Sequence, residues 1–279
     1  MKRSKQRHSS DFIIFFLALV LLSIGIIMVF SASAYSAYLS RGSEYYYLKR
    51  QLINSLVGIT LMILAMNLPY KILQKHATLI LLSSITLLVF VLLTGKVGGG
   101  AGRWLGVGGI VFQPSELVKL AMVVFMARNL SLKSQSLKHF SEGLLPQLVI
   151  LGVVCALILA QPDLGTALVV AGTIYFLFMV AGARPAHLIL LALSGLTVVA
   201  AAIAAEPYRL RRILAFLDPY EDPIGAGFQT IQSLLALGSG GLFGMGLGNG
   251  RQKLLYIPEM HTDFIYAVIG EELGFVGAG

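Results

Sequence analysis

Long runs of apolar residues recur along the chain, separated by short segments that hold most of its polar residues. A helix needs about 20 residues, at about 1.5 Å rise each, to cross the hydrocarbon core of a bilayer. Seven runs have that length, and an eighth apolar helix begins near residue 263. The predicted spans are residues 12–32, 51–68, 77–95, 113–130, 144–160, 165–183 and 186–205. The pattern predicts an all-α protein, a polytopic transmembrane bundle of about eight spans.

The first apolar run has two interpretations, because it follows the basic segment MKRSKQRHSS. A signal peptide has an apolar core of about 7–15 residues, and the longer charge-free core here favours an uncleaved first span. With the amino terminus in the cytoplasm, the predicted inner loops carry more Lys and Arg than the short outer loops, in keeping with the positive-inside rule. Helix parity then makes residues 206–262 a long extracytoplasmic loop.

The composition supports a membrane protein and restricts the classes of molecule that it is expected to bind. Hydrophobic residues make up 57% of the chain and charged residues 12%, about half the charged fraction of a soluble domain. The formal net charge of +8 fits cytoplasmic loops and anionic lipid. No basic patch interleaved with aromatic residues lies on a soluble element, so nucleic acid is not an expected partner. The single Cys155 forms no intrachain disulfide.

The predicted outer loop after the third span, GKVGGGAGRWLGVGGIVFQPSELVKL, carries unusual polar chemistry. Arg103 and Trp104 are expected at the membrane interface, where an aromatic belt and a flexible turn are the simpler explanation. Pro114 suits the first turn of the next helix, which places Glu116 and Lys119 one turn apart on one face. This pair at membrane depth is either a self-neutralising structural ion pair or part of a functional site.

Two further segments at the predicted outer face combine turns with polar residues. In QPDLGTA, Asp163 is expected to cap the helix that follows the turn, whatever other role it has. Within the long loop, residues 229–237 are apolar enough to lie on a membrane surface as a short helix. The segment GSGGLFGMGLGNG then has seven glycines between Gly238 and Gly250, which permit positive φ and close approach of a ligand. A simple glycine-rich linker is the alternative.

Known motifs for other chemistries are absent from the sequence. It contains no P-loop, no Gly-x-Ser-x-Gly and no dinucleotide fingerprint, and it shows no metal-ligand spacing of His, Cys, Asp and Glu. No resident cofactor is expected, and a divalent cation is the one candidate left open. Cations and glycines at the outer membrane face would suit a bulky anion that arrives from the lipid, such as a polyprenyl pyrophosphate.

The chain resembles the SEDS family of bacterial shape, elongation, division and sporulation proteins in three runs: GRWLGVGGIVFQPSELVKL, QPDLGTA and FQTIQSLLALGSGGLFGMGLGNGRQKLLYIPEMHTDFIYAVIGEELGFVG. The motifs HTDFIYAVIGEELG and GSGGLFGMGLG are more similar to the division branch, FtsW, and its sporulation relative SpoVE than to RodA. The resemblance covers essentially the whole chain. Because family members have ten spans, it implies that residues 1–279 form one membrane domain without its carboxyl-terminal part.

The resemblance implies an enzyme of cell-wall synthesis. SEDS proteins are peptidoglycan glycosyltransferases that polymerise lipid II on the outer face of the bacterial cytoplasmic membrane. Their usual partner is a class B penicillin-binding protein, and other divisome or sporulation membrane proteins are implied as well. The expected location is the division or sporulation septum. The alternatives are a transporter that flips lipid II, for which no inverted repeat is visible, and a non-catalytic scaffold of a synthase complex.

By the same resemblance, Asp263 matches the family's essential aspartate. The chemistry requires the acceptor's hydroxyl to attack an anomeric carbon while a pyrophosphate leaves as an anion, so one carboxylate base and several cations would suffice. Because an exposed aspartate is a weak base at neutral pH, partial burial of Asp263 in an outer cleft is expected. A mere helix cap is the alternative role.

The remaining site candidates are polar residues of the outer loops and the fourth span: Glu116, Lys119, Arg103, Arg251, Lys253, His261 and Thr262. Glu116 and Lys119 match the family's polar pair, with Lys119 expected near phosphate. The three other cations are pyrophosphate candidates, and the last two residues are expected to position the aspartate. Glu271 lies off the face of Asp263, so a structural role is expected for it. The spacing of Gly270 and Gly274 favours close approach of another helix.

Overall fold

The computed structural model describes residues 12–94, 103–107, 110–132, 137, 139–251 and 262–279. Within these ranges the chain is mostly helical. The helices are α1 (Phe12–Arg41), α2 (Tyr46–Asn67), α3 (Tyr70–Thr94), α4 (Pro114–Leu132), α5 (Leu145–Leu159), α6 (Leu164–Val180), α7 (Pro185–Ala204), α8 (Pro207–Leu217), α9 (Phe228–Gly240) and α10 (Ile265–Ala278). The strands β1 (Leu105–Val107) and β2 (Ile110–Phe112) pair antiparallel, with Leu105 opposite Phe112.

The hydropathy pattern predicted the first seven helices and the start of the eighth apolar one. Each predicted span corresponds to one of α1 to α7, and α10 begins at Ile265. The largest difference is at α1, which continues past the apolar run to Arg41. Its added turns are stabilised by packing rather than by hydropathy, because Ser33 and Ala37 there are buried.

Five helices among the described residues are long and apolar enough to cross a membrane: α1, α2, α3, α7 and the helix Phe140–Leu159. The last of these joins α5 to a preceding π-helical turn, Phe140–Leu144. Helix α6 is apolar but shorter, with 17 residues, and α4 carries Glu116, Lys119 and Arg128. The protein is therefore a polytopic helical membrane protein.

The described residues divide into two compact units. The central unit is Leu68–Ala200, and the terminal unit combines Met1–Asn67 with Ala201–Gly279. Helix α4 is the middle of the central unit, where its side chains Val118, Met122 and Met126 are fully buried. Helices α3, α5 and α6 all pack against it. The packing of these three helices therefore fixes the position of α4, whose first turns carry the predicted ion pair.

Polar contacts also link the helices of the central unit. Arg128 Nη1 donates to Thr78 Oγ1 over 3.0 Å, which joins α4 to α3. Asn129 Nδ2 donates to the buried Gln147 Oε1 over 3.3 Å, which joins α4 to α5. Such interhelical hydrogen bonds help to specify which helix faces pack together.

The terminal unit is centred on α10. Helix α9 packs along α10, and α1 contacts both α10 and α2. The small core consists of Met28 and Ala32 from α1, Ala236 from α9, and Ala267 and Val268 from α10. The three alanines among these residues let the helix backbones approach closely.

Two of the helices lie within the predicted long loop, and only one of them was expected. Residues 229–237 do form a helix, α9, but one side of it packs on α10 while Leu234 and Leu235 stay exposed. Helix α8 was missed, because its cations interrupt the apolar run. In it Arg209 Nη1 donates to the Ala202 carbonyl in the last turn of α7, over 2.7 Å. This bond fixes the start of α8 beside the end of a predicted span.

Candidate functional site

Arg103 lies just before β1 and is tied to the turn between α5 and α6. Its Nε donates to the Gln161 carbonyl over 2.8 Å and its Nη2 to the Pro162 carbonyl over 2.6 Å. Its Nη1 is 4.0 Å from Asp163 Oδ2. Because two of its donor groups already bind backbone carbonyls, Arg103 holds this loop against the turn, and its contact with pyrophosphate stays a prediction.

The predicted cap at Asp163 is confirmed. Its Oδ1 accepts the backbone N–H of Thr166 over 3.0 Å, and its Oδ2 accepts the Thr166 hydroxyl over 2.9 Å. Gln113, directly before α4, adds an amide N–H to Oδ2 over 3.3 Å. The carboxylate therefore binds the start of α6 and the approach to α4 together, and these bonds account for its position without any catalytic role.

Glu116 and Lys119 form the ion pair that their spacing predicted. Lys119 Nζ lies 2.8 Å from Glu116 Oε2 in the first turns of α4. The sequence placed the pair at membrane depth, and in the structure the Glu116 side chain is 55% exposed and that of Lys119 33%. The reason is the helix face: Ser115, Val118 and Met122 occupy the side that packs into the core. The pair is thus open to a ligand.

Replacement of Lys119 is expected to lower activity much more than it lowers the stability of the fold. Because Glu116 is exposed, Lys119→Met should change the free energy of unfolding by at most about 1 kcal/mol. If Lys119 stabilises a developing phosphate charge, polymerising activity should nevertheless fall by about tenfold to a hundredfold. Lys119→Arg keeps the cation and is the matched control. Thermal melting and activity of both variants decide the matter, and equal, wild-type-like activity would exclude a role for the pair.

Asp263 lies in the turn directly before α10 and is exposed. The partial burial expected from its chemistry is therefore not found among the described residues, because the buried part of α10 starts at Ala267. Thr262 precedes it; two other candidates, Lys253 and His261, fall in residues 252–261, outside the described residues. The structure thus places a carboxylate at the mouth of α10, where the sequence predicted it.

The glycine-rich segment after α9 is joined to α10 by main-chain hydrogen bonds. In a regular helix, Phe275 and Val276 would donate to the carbonyls of Glu271 and Glu272. Here Phe275 N donates to Gly241 O over 2.9 Å, and Val276 N to Leu242 O over 3.1 Å. The two carbonyls that they leave accept Met245 N at 2.9 Å and Gly246 N at 3.0 Å. The segment therefore replaces two helical hydrogen bonds with four tertiary ones.

This exchange requires glycine at the points of closest approach. Gly274 interrupts α10 with φ 68° and ψ −171°, a conformation that is almost exclusive to glycine. A Cβ atom there would collide with the backbone of Gly244, and one at Gly244 would collide with the Glu272 carbonyl. The predicted positive φ in this segment is found at Gly241, Gly244, Gly246 and Gly248.

The spacing of Gly270 and Gly274 predicted one neighbouring helix, and the structure gives each glycine a different neighbour. Gly270 faces α9, where a Cβ would meet Leu237, and its carbonyl lies against Gly240. Gly274 faces the glycine-rich segment instead. The helix prediction holds for the first glycine and is wrong for the second, because α10 breaks there.

Two buried carboxylates of α10 complete this junction. Glu271 is 1% exposed, and its Oε1 accepts the backbone N–H of Arg251 over 2.8 Å. Glu272 is fully buried, and the Ser31 hydroxyl of α1 lies 2.7 Å from its Oε2. The structural role predicted for Glu271 is confirmed. Glu272 was missed, although a second acid inside an apolar helix is itself a signal of a buried partner.

The site residues thus fall into two sets, one in each unit. The central unit holds Arg103 with Asp163, and Glu116 with Lys119; the terminal unit holds Asp263 and Arg251. In the part of the chain that the structure describes, no three His, Cys, Asp or Glu side chains form a group that could hold a metal ion. A divalent cation therefore stays a prediction.

Known proteins resemble this chain over almost its full length. The family model described as cell cycle protein, for FtsW, RodA and SpoVE, matches residues 11–279. Stage V sporulation protein E of Bacillus subtilis is 44% identical over 274 residues, which are 98% of this chain and 75% of that protein. A probable peptidoglycan glycosyltransferase FtsW of Geobacter sulfurreducens is 43% identical over 276 residues, with coverage of 98% and 74%.

Solved structures agree in fold. A chain from a peptidoglycan synthase complex that coordinates polymerization and crosslinking matches with a TM-score of 0.74 and 30% identity, over 97% of this chain and 73% of that one. The rod shape determining protein RodA of Thermus thermophilus matches with a TM-score of 0.63 and 26% identity, over 97% and 70%. Sequence and fold therefore point to the same group of proteins.

Proposed function

This chain belongs to the FtsW/RodA/SpoVE cell cycle protein family and is a peptidoglycan glycosyltransferase, and we propose that it polymerises lipid II on the outer face of the cytoplasmic membrane. The acceptor's sugar hydroxyl attacks the anomeric carbon of the donor, and the donor's polyprenyl pyrophosphate leaves as an anion. The hydroxyl proton passes to a carboxylate. No protonated acid is needed, since a pyrophosphate is a good leaving group.

The position of Asp263 carries this assignment. The carboxylate is exposed at the mouth of α10, so it is open to a water-borne sugar, while the helix behind it packs against α9 and α1. A general base must reach the proton that it abstracts, and accessibility meets that condition even though burial is lacking. Thr262 and His261 are proposed to orient the carboxylate.

Cations are proposed to bind the pyrophosphate of the donor. Arg251 is exposed, and no hydrogen bond or ion pair of its guanidinium is found among the described residues. Lys119 is exposed enough to reach a ligand, while Glu116 orients it through the 2.8 Å contact. Lys253 and Arg103 are the other candidates for this role. Lys and Arg stabilise the charge that develops on phosphate oxygens as the bond breaks.

A class B penicillin-binding protein is proposed as the partner. The likeness to a chain of a peptidoglycan synthase complex supports this, because glycan polymerisation and crosslinking are coordinated in that complex. Other divisome or sporulation membrane proteins are proposed as further partners at the septum. The direct test gives labelled lipid II to the purified protein and its partner, and glycan strands are the expected product.

The outer position of the site can be tested by thiol labelling. In a Cys155→Ala background, Ser239→Cys is expected to react with a membrane-impermeant thiol reagent in intact spheroplasts, because helix parity places α9 outside and Ser239 is exposed. Ser134→Cys, in a predicted inner loop, is the control and should react only after the membrane is opened. The reverse pattern would contradict the outer placement of the site.

A further inference from the structure

A side chain of α10 binds the main chain at Arg251. The four main-chain hydrogen bonds to α10 involve only Gly241, Leu242, Met245 and Gly246. Beyond them the segment turns on itself, with Asn249 N donating to Gly246 O over 3.1 Å. Among the described residues, the next contact to α10 is the bond from Arg251 N to Glu271 Oε1, at 2.8 Å.

This contact is buried although the guanidinium is not. Glu271 is 1% exposed, and Gly250 is buried beside it, where a Cβ would lie 2.8 Å from Glu271 Oε2. Arg251 itself is exposed. A charge-assisted bond from a main-chain N–H to a carboxylate is stronger than a neutral one. Because it fixes the backbone of Arg251, it also fixes the direction in which the side chain leaves.

We propose that Glu271 is a positioning residue of the synthase: its buried carboxylate orders the backbone of Arg251 and so presents the guanidinium to the pyrophosphate of the lipid-linked donor. This inference rests on the proposed function, in which Arg251 binds that group. Glu271 touches no substrate. Its contribution is to order the cation before binding, which lowers the conformational entropy that binding would otherwise cost.

The proposal is tested by a double-mutant cycle on the full protein with its partner, using labelled lipid II. Glu271→Ala is expected to raise KM about tenfold, the effect of one lost charge-assisted hydrogen bond, with a smaller change in kcat. Glu271→Gln keeps an acceptor oxygen and should stay within about threefold of wild type. Arg251→Ala should raise KM as well. The double variant Arg251→Ala/Glu271→Ala should then be no worse than Arg251→Ala, because the two residues act as one.

A second substitution, Gly250→Ala, disturbs the bond between Arg251 and Glu271 without changing either residue. Gly250→Ala would press a methyl group on Glu271 Oε2 and displace the Arg251 backbone while the carboxylate stays intact. It should raise KM like Glu271→Ala and likewise have no added effect in the Arg251→Ala background. If Glu271→Ala fails to fold, this pair of variants carries the test alone.

Ser31→Ala is the matched control, because it removes the hydroxyl partner of the neighbouring Glu272 and leaves the bond to Arg251 in place. It should lower the melting temperature and leave KM within about twofold, since its lost bond lies on the α1 side. A KM increase equal to that of Glu271→Ala would mean general loosening and overturn the proposal. Multiplicative effects of Glu271→Ala and Arg251→Ala would overturn it too.

Failure of the inference is distinguishable from failure of the proposed function. If Arg251→Ala leaves KM unchanged while the wild type still makes glycan strands, the positioning role is wrong and the polymerase function stands. If the wild type makes no polymer from lipid II, the proposed function itself is wrong, and the inference falls with it.

Discussion

Asp263→Asn is expected to lower the rate of glycan polymerisation by about 10² to 10⁴, the usual contribution of general-base assistance. The substitution keeps the size and polarity of the side chain but removes its ability to accept a proton. Because Asp263 is exposed, the change should leave folding intact. The measurement is the rate of polymer formation from labelled lipid II by the purified protein with its penicillin-binding partner, beside expression level and partner binding.

Control variants distinguish a general-base role of Asp263 from a structural role of the same residue. Asp263→Ala should be at least as inactive as Asp263→Asn, and both should bind the partner like wild type. Thr262→Ala, which alters the neighbouring residue, should retain measurable activity. Wild-type rates with Asp263→Asn would show that the base is elsewhere, and Glu259, four residues upstream, would be the next carboxylate to test.

The same assay distinguishes the other two functions that a membrane protein of this kind could have. A flippase would move lipid II across the bilayer without making polymer, and a scaffold would do neither while still binding the partner. The family assignment favours the glycosyltransferase.

Gly274→Ala is expected to destabilise the terminal unit by several kcal/mol. An alanine at φ 68° and ψ −171° carries backbone strain of about 1–3 kcal/mol. Its Cβ would also collide with the Gly244 backbone and lie 2.6 Å from the Leu242 carbonyl oxygen, and such overpacking costs about 1–3 kcal/mol more. Since whole proteins are stable by only about 5–15 kcal/mol, the variant should melt far below wild type in detergent or fail to accumulate.

Gly238→Ala is the matched control for this prediction. It also changes glycine to alanine in the terminal unit, but nothing lies within 4 Å of the added Cβ and the residue is in helix α9. Alanine favours helix over glycine by up to about 1 kcal/mol, so this variant should melt at or above the wild-type temperature. Equal melting of both variants would contradict the hydrogen-bond exchange between α10 and the glycine-rich segment.

The sequence predicted those features of the structure that depend on residues close together in the chain. Helices α1 to α7 follow from runs of apolar residues, because a bilayer leaves few alternatives for them. The contact of Glu116 with Lys119 follows from helical spacing, and the cap at Asp163 from the turn before α6. Both the ion pair and the cap join residues within one helical turn of each other.

The features that the sequence could not predict depend on distant backbone. Gly274 looks like a small residue inside an apolar helix, and only the glycine-rich segment, far upstream in the chain, makes it a break. The bond from Arg251 N to Glu271 Oε1 was not predicted either, because it joins two segments that are 20 residues apart. Helix α8 was missed because Arg209, Arg211 and Arg212 interrupt its apolar positions. The exposure of Asp263 differs from what the chemistry of a base suggested.

The bond between Ser31 and Glu272 joins residues that are 241 positions apart in the chain. A ribosome makes α1 long before α10, whereas the central unit, Leu68–Ala200, is one uninterrupted stretch whose contacts can form during synthesis. The terminal unit must wait for its second half. Met28 and Ala32 therefore remain without their partners on α10 until that helix has been made, and the junction that holds Arg251 is assembled only after α10 has entered the membrane.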